Sequence, residues 1–323
     1  MTRALVIGGT GFISTAACKE LMRRGVEVVA TSRSDTPYGT FTSHRVLDRH
    51  DEDQLASTLD EVRPDVVLDM VAYQGRDVAA VLRHLRGARY VLTSTGSVYP
   101  ELHGQPAREE EFVALDGELP EEDLDYPNAK RWCETLLVRQ DEVPWVAMRP
   151  PIVIGPGDPT KRIAAYLQRI EDGGPVLVAR ETADWGAVIG WVRDVGFVLA
   201  RACTAGPEVE GRTYNVGFEG VSVRSFLQAA ADALGKPANL VEVPAAELPW
   251  PASPYSVGPD DLGSYPVDRA RAELGFEPSG VGDCLADTLP WYQSARPSHK
   301  GYADREKELT LAARYGPGPA ASP

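Results

Sequence analysis

The chain has 323 residues, 43% of them hydrophobic, and a net charge of −14. That length and apolar content suffice for one large domain or two smaller ones with real cores, while the acidity opposes phosphate backbones, so no nucleic-acid partner is expected. Cys18, Cys133, Cys203 and Cys284 stand far apart with no C-x-x-C pair, which argues against a metal site or a disulfide framework and fits a reducing, cytoplasmic setting.

Residues 1–7 are apolar only briefly before glycines follow, without a cleavage pattern, and no apolar run is long enough to span a bilayer. No leader and no membrane partner are expected. Short apolar runs then alternate with helical periodicity, the sign of a parallel α/β sheet. Residues 4–7 read as a buried strand. Residues 13–24 read as a helix, with Ile13, Ala16, Ala17 and Leu21 on one face and Gly25 as its stop. Between them lies Gly8-Gly9-Thr10-Gly11-Phe12-Ile13-Ser14. Glycine permits the tight turn and lets a pyrophosphate approach the backbone, and the helix start supplies free N–H groups. This nominates Gly8, Thr10, Gly11, Phe12 and Ile13 as cofactor-binding residues. A second strand at 27–30 leads into Thr31-Ser32-Arg33-Ser34. An acidic residue there would meet the ribose 2′-OH of NAD. A hydroxyl followed by arginine suits a 2′-phosphate, so NADP is expected ahead of NAD, with Ser32 and Arg33 as its contacts.

Further on, 51–62 reads as a helix, 65–71 as a strand, 78–85 as a helix, and 90–94 and 145–148 as strands. The stretch 100–127 is acidic and proline-bearing, and is expected to be a loop over the site. It ends in Asp125-Tyr126-Pro127-Asn128-Ala129-Lys130, a Y-x-x-x-K spacing that stacks Tyr126 and Lys130 on one helix face. A lysine beside a phenol favours the phenolate and brings tyrosine towards general acid/base use near neutral pH. After Arg149-Pro150 the residues Pro151, Gly155, Pro156, Gly157 and Pro159 mark a boundary. Beyond it, helices are expected at 161–170, 194–204 and 223–234, a strand near 214–216, a surface loop around 248–259 and a disordered tail at 315–323. The chain divides into a dinucleotide-binding part, 1–150, and a mainly substrate-binding part, 151–314, some segments of which return to the first.

The glycine loop and the Tyr126–Lys130 pair are accompanied, in order, by Asp48-Arg49-His50-Asp51, Ala72, Thr93-Ser94-Thr95-Gly96-Ser97-Val98-Tyr99, Arg149-Pro150 through Gly155-Pro156-Gly157, Asp194-Val195, Tyr214-Asn215-Val216-Gly217, and Asp268 through Leu274-Gly275-Phe276 with Pro278. Together these resemble the extended short-chain dehydrogenase/reductase family, the NAD-dependent epimerase/dehydratase group, over nearly the whole chain. The resemblance implies a Rossmann-type doubly wound parallel sheet with a smaller C-terminal α/β substrate-binding region. It implies that Asp48 meets adenine, that Ala72 lies against the cofactor, and that Thr95 takes the catalytic Ser/Thr position. Tyr126 would exchange a proton with a substrate hydroxyl or carbonyl oxygen, and Lys130 would lower its pKa and bond the nicotinamide ribose. The implied reaction is hydride transfer at a hydroxyl or keto carbon of a sugar-like substrate, nucleotide-linked ones included, by a homodimer packed through the Tyr-bearing helix.

Several positions depart from that pattern. Ser14 replaces a third glycine and is expected to be tolerated for its size. Gly96 and Ser97 stand where the family's dehydratases carry an Asp-Glu pair, which disfavours elimination, and Glu109, Glu110 and Glu111 read as a solvated acidic loop. Ile152 and Ala187 stand where nucleotide-sugar members place an asparagine and a diphosphate-gripping arginine, with Lys161, Arg162 and Arg193 as nearby alternatives. Trp185 and Trp191 either shape an apolar or stacking pocket or pack in the core. Ser97, Ile152 and Trp191 are the substrate-side candidates. The expected protein is an NAD(P)-dependent reductase or epimerase. The alternative is a cofactor-bound, non-catalytic regulatory or RNA-binding relative.

Overall fold

The computed structural model describes residues 1–35, 37–248 and 261–316. Its strands are β1 (Arg3–Ile7), β2 (Glu27–Ser32), β3 (Ser43–Val46), β4 (Val66–Asp69), β5 (Arg89–Thr93), β6 (Trp145–Arg149), β7 (Ile152–Ile154), β8 (Val176–Ala179), β9 (Ile189–Trp191), β10 (Arg212–Asn215) and β11 (Leu240–Val243). Its helices are α1 (Phe12–Arg23), α2 (Glu52–Val62), α3 (Gly75–His84), α4 (Tyr126–Val138), α5 (Arg162–Glu171), α6 (Val192–Thr204), α7 (Val223–Leu234), α8 (Asp268–Leu274), α9 (Val281–Ala295) and α10 (Arg305–Tyr315). Seven strands form one parallel sheet in the order β10-β6-β5-β4-β1-β2-β3, and β7–β9 and β8–β11 form two short parallel pairs.

Strand alternation explains the two layers of helices. In β1, Ala4 and Val6 point into a core shared with α1 and α6, while Leu5 and Ile7 point into a second core shared with α2, α3 and α4. Helix α1 lies so close to α6 that a Cβ on Gly196 would come 2.8 Å from Ala16. Strand β1 pairs with β2 on one side and β4 on the other, so the chain reverses direction there and opens a crevice at the strands' C-terminal ends. The doubly wound parallel fold is therefore as expected. Strand β10 lies late in the sequence yet joins the sheet beside β6.

Some local expectations need correction. The buried stripe of α1 is Ser14, Ala17, Cys18 and Leu21. Ile13 and Ala16 are only half-buried, and this turn of the stripe frees Ile13 for the crevice. Glu109 is not solvated: it is buried and accepts a hydrogen bond from the Asn215 backbone N–H at 2.9 Å. Tyr315 is not part of a disordered tail, since it ends α10 and bonds Glu247. Residues 317–323, and the loop expected at 248–259 apart from Leu248, lie outside the described residues. Among the described residues no helix is long and apolar enough to cross a membrane.

Candidate active site

The crevice is a cleft of about 780 Å³. Its floor begins at the glycine loop, where Gly8 and Gly11 line it together with Phe12, Ile13 and Ser14. Gly8 has φ +77°, and a Cβ there would lie 2.5 Å from a Val71 methyl, so position 8 requires glycine for both conformation and space. The Ser14 hydroxyl accepts the Gly11 N–H at 2.7 Å and sits 3.1 Å from the Gly11 carbonyl, to which it donates. Ser14 is thus a cap on α1 as well as a small packing residue. Phe12 and Ile13 open the helix, where backbone N–H groups have no carbonyl four residues back and face the cleft. No acidic residue stands in that first turn. A turn that admits only glycine, a bare helix start and a long open cleft fit the pyrophosphate of a nicotinamide dinucleotide. Thr10 is half-buried and does not line the cleft.

The residues nominated for the adenosine end lie beyond the cleft wall, on the outer rim formed by β2 and β3. Arg33 is exposed and makes no hydrogen bond or ion pair among the described residues. The Ser32 hydroxyl is 2.9 Å from His44 Nε2 and accepts the Ser34 N–H at 3.3 Å. Asp48 is exposed and accepts the His50 N–H at 3.0 Å. Ala72 is fully buried in the core and does not reach the cleft; its neighbours Val71 and Tyr73 do. The small residue does not end the fourth strand, which stops at Asp69, and packs behind the wall in the core shared with α2, α3 and α4.

Tyr126 is the first residue of α4. Asp125 caps the helix by accepting the Asn128 N–H at 3.0 Å, and Pro127 follows with a backbone suited to a first turn. Tyr126, Thr95 and Lys130 all line the cleft. The Thr95 hydroxyl lies near enough to the Tyr126 phenol to favour its ionised form, while Thr95 Oγ1 donates to Ser97 Oγ at 3.3 Å and accepts the Ser97 N–H at 3.2 Å. Lys130 is buried, donates to the Thr93 carbonyl at 2.8 Å, and holds its ammonium 5.4 Å from the Tyr73 ring and 5.9 Å from the Tyr126 ring.

The expected depression of the Tyr126 pKa is not found. Although Tyr126 is partly exposed, desolvation in the cleft pushes its phenol above the ordinary value, and the nearby Thr95 hydroxyl and Arg162 charge only partly oppose it. Burial likewise lowers the pKa of Lys130. The Lys130 ammonium is spent on a backbone carbonyl rather than on the phenol.

Of the substrate-side candidates, Ser97 and Ile152 line the cleft and Trp191 does not. Trp191 is buried in the core on β9, under the Arg193 guanidinium at 5.1 Å, and its indole N–H has no partner among the described residues. Trp185 packs against Gly104, where a Cβ would meet its ring at 2.9 Å.

Sequence reading missed two features. Tyr265 lines the cleft and lies directly over Gly96, where a Cβ would come 2.2 Å from its hydroxyl. Behind the site, Glu134, one turn beyond Lys130, forms a fully buried ion pair with Arg149. Ser94 donates to the same carboxylate, while Arg149 donates to the Tyr99 hydroxyl at 2.7 Å and Tyr99 donates to Asn215 at 2.8 Å. The R-P and V-Y motifs thus meet in one network, a signal that sequence order alone does not carry.

The model of the NAD dependent epimerase/dehydratase family matches residues 4–83 and 75–217. The chain is 25% identical over 342 residues to uncharacterized protein y4nG of Sinorhizobium fredii, across 94% of this chain and 82% of that one. It is 24% identical over 295 residues to the chloroplast stem-loop binding protein of 41 kDa b of Arabidopsis thaliana, across 85% of this chain and 75% of that one. Among solved structures, it is similar to the UDP-glucose-4-epimerase of Stenotrophomonas maltophila with bound NAD and formylated UDP-arabinopyranose, at TM-score 0.70, 20% identity, and 92% and 99% coverage of the two chains. It is also similar to the UDP-glucose 4-epimerase of Thermotoga maritima with UDP-glucose, at TM-score 0.69, 18% identity, and 92% and 100% coverage. These structures share the fold. With more than half of its length under the family model and that family's fold around a glycine-loop cleft, the chain belongs to the NAD-dependent epimerase/dehydratase family.

Proposed function

We propose that the protein is an NAD(P)-dependent oxidoreductase or epimerase acting at a hydroxyl- or keto-bearing carbon of a sugar-like substrate, with Tyr126 as general acid/base. One observation carries this reading: Tyr126, Thr95 and Lys130 share a single cleft with the glycine loop of α1. When bound, a nicotinamide dinucleotide supplies hydride transfer. Gly8, Gly11, Phe12 and Ile13 would hold its pyrophosphate, Lys130 its nicotinamide ribose and Asp48 its adenine. The exposed, unengaged Arg33 supports NADP over NAD, since it is available for a 2′-phosphate.

Thr95 donates a hydrogen bond to the reacting oxygen of the substrate, and Tyr126 gives or takes the proton there. A phenol held above its ordinary pKa is protonated at neutral pH, which suits donation to a carbonyl oxygen. Gly96 and Ser97 bring no carboxylate beside Thr95, and this disfavours elimination. The two epimerases of the same fold were solved with UDP-sugars, which supports a carbohydrate-like substrate.

The test incubates purified protein with NADP or NAD and a panel of sugars and nucleotide sugars. Nicotinamide absorbance reports net oxidation or reduction, and NMR reports a change of configuration without it. Tyr126→Phe is expected to lose turnover by roughly a hundred-fold or more with cofactor affinity unchanged. Full turnover in that variant would sink the assignment, and a clear NAD preference would remove the role given to Arg33.

A second reading follows from the stem-loop binding relative: that this chain binds structured RNA. The net charge of −14 opposes it. Salt-sensitive retardation of a stem-loop RNA by the purified protein, in competition with cofactor, would favour it.

A further inference from the structure

One buried charged cluster plays no part in the chemistry proposed for Tyr126. Asp69 ends β4 and is fully buried, and Asp77 on α3 is nearly as deep. Arg49 reaches both. Its guanidinium donates to the two Asp69 carboxylate oxygens at 2.7 and 2.9 Å and to the Asp77 carbonyl at 2.6 Å. Its Nε faces the Asp77 carboxylate at 3.7 Å. The Tyr90 hydroxyl adds a further bond to Asp69 at 2.9 Å. A buried ion pair is costly to desolvate and stabilises no more than apolar packing of the same volume. Stability alone therefore does not account for an arginine here. A guanidinium can hold several oxygens at fixed positions at once, which an apolar side chain cannot.

Those oxygens shape a wall of the cleft. One Asp69 oxygen accepts the Val71 N–H at 3.1 Å, and one Asp77 oxygen accepts the N–H groups of Tyr73 and Gln74 at 2.8 and 2.9 Å. The turn 70–74 thus takes its form from the two acids that Arg49 grips. Val71 and Tyr73 of this turn line the cleft. Val71 lies against Gly8 of the glycine loop, and the Tyr73 ring lies 5.4 Å from the Lys130 ammonium. Arg49 itself comes from elsewhere. It stands next to Asp48 in the loop between β3 and α2, and it does not line the cleft. Strands β1 and β2 separate β3 from β4 in the sheet. Among the described residues no backbone–backbone hydrogen bond joins that loop to the turn. Side chains make the joint: Arg49 in the interior, and the exposed His50 with its Nε2 3.4 Å from the Asp77 carboxylate.

We propose that Arg49 is a positioning residue of the dinucleotide site. It locks the 70–74 wall, which backs the glycine loop, to the rim loop that carries Asp48, and so sets the spacing between the two ends of a bound dinucleotide. Arg49 acts through Asp69 and Asp77 and not by touching the ligand. Lysine cannot replace it, because a compact ammonium lacks the fork that meets the Asp69 carboxylate and the Asp77 carbonyl together. This inference rests on the cleft being the dinucleotide site proposed above.

The test titrates NADPH and NADH into the wild type and Arg49→Lys, read by nicotinamide fluorescence. Hydrogen exchange, read by mass spectrometry, is followed in the same proteins over residues 70–77 and over β6. In Arg49→Lys the affinity for the preferred dinucleotide should fall about ten-fold or more. Residues 70–77 should exchange faster in the free protein, with β6 unchanged. Equal affinity in folded Arg49→Lys overturns the proposal. So does a loss of affinity with no faster exchange at 70–77, because the wall is then not what Arg49 sets. Exchange that quickens equally in β6 also overturns it, because that is general loosening. Should Arg49→Lys fail to fold, Arg49→Met combined with Asp69→Asn decides by the same two readouts, since it removes the tie without stranding a charge at position 69. A wild type that binds neither dinucleotide sinks the cofactor reading itself and this inference with it. Wild-type binding that the variants leave unaltered sinks this inference alone.

Discussion

Replacing Gly96 with alanine tests how the C-terminal part of the chain closes the cleft. Gly96 follows β5 in a conformation open to any residue, so alanine brings no backbone strain there. The cost is steric. The new Cβ would lie 2.2 Å from the Tyr265 hydroxyl oxygen and 2.3 and 2.4 Å from two of its ring carbons. Comfortable carbon contacts are about 3.5–4.0 Å, so the ring must move by more than an ångström. It cannot tilt freely, because it packs against Tyr99 with ring centroids 5.7 Å apart, and Tyr99 is fixed by Arg149 and Asn215. Overpacking of this kind costs about 1–3 kcal/mol. Urea unfolding should show that loss, and kcat/KM should fall with it, because Tyr265 and Thr95 line the same cleft. In a Tyr265→Ala background the same substitution should cost less than about 0.5 kcal/mol, since the clashing ring is gone. An equal cost in both backgrounds would refute the reasoning.

Three further outcomes follow from the site. Ser14→Ala should lower stability by about 1 kcal/mol through loss of the α1 cap, measured by urea unfolding, while cofactor affinity holds because the Gly11 N–H is released to the cleft; a drop in affinity would contradict this. Glu134→Gln leaves the buried Arg149 guanidinium short of a counter-charge and should cost about 3 kcal/mol or more; a loss under 1 kcal/mol would mean that Tyr99 and the Glu109 carbonyl suffice. In the cofactor-free protein, phenolate absorbance should show no ionisation of Tyr126 near neutral pH, because desolvation in the cleft raises its pKa. Its folded pKa lies above the unfolded one. Its contribution to stability is therefore full below the ordinary tyrosine value of about 10 and is lost as pH rises through the folded pKa. The wild-type minus Tyr126→Phe difference in stability isolates that slope, and a phenol ionising below neutrality that vanishes in Tyr126→Phe would overturn it.

The repeating parts of the fold were legible because their signals are local. Four to six buried residues flanked by glycine read as strands, and Val223–Leu234 was bounded by Ser222 and Gly235, a cap and a stop that sequence displays openly. The short strands β7, β8, β9 and β11 and the helices α9 and α10 were not. Three- and four-residue strands carry almost no period, and α10 is held by tertiary ion pairs, Arg169 with Glu308 and Arg305 with Asp172. At the site, spacing nominated Gly8, Gly11, Tyr126 and Lys130, the family resemblance nominated Thr95, and all five line the cleft. Trp191 misled, because a tryptophan beside a strand end looks the same whether it faces a ligand or a core. Tyr265 was invisible because its partner, Gly96, is 169 residues away and contributes no side chain.

The Y-x-x-x-K spacing is part of a longer stripe. Tyr126, Lys130 and Glu134 occupy positions i, i+4 and i+8 of α4 and so lie on one face. Two of them are fixed behind the cleft, Lys130 to the carbonyl of Thr93 and Glu134 to Ser94 and Arg149. Thr93 closes β5, Ser94 follows it, and Thr95 lines the cleft with Tyr126. The helix is therefore zipped to the end of β5 by Thr93 and by Ser94 just after it. Rotation or sliding of α4 by even one position would break every tooth at once. The deepest tooth, the fully buried Glu134–Arg149 pair, resists that slip most strongly because neither charge can be rehydrated in place. On this argument the placement of the Tyr126 hydroxyl at the exposed end depends on a carboxylate two turns away that never touches a substrate.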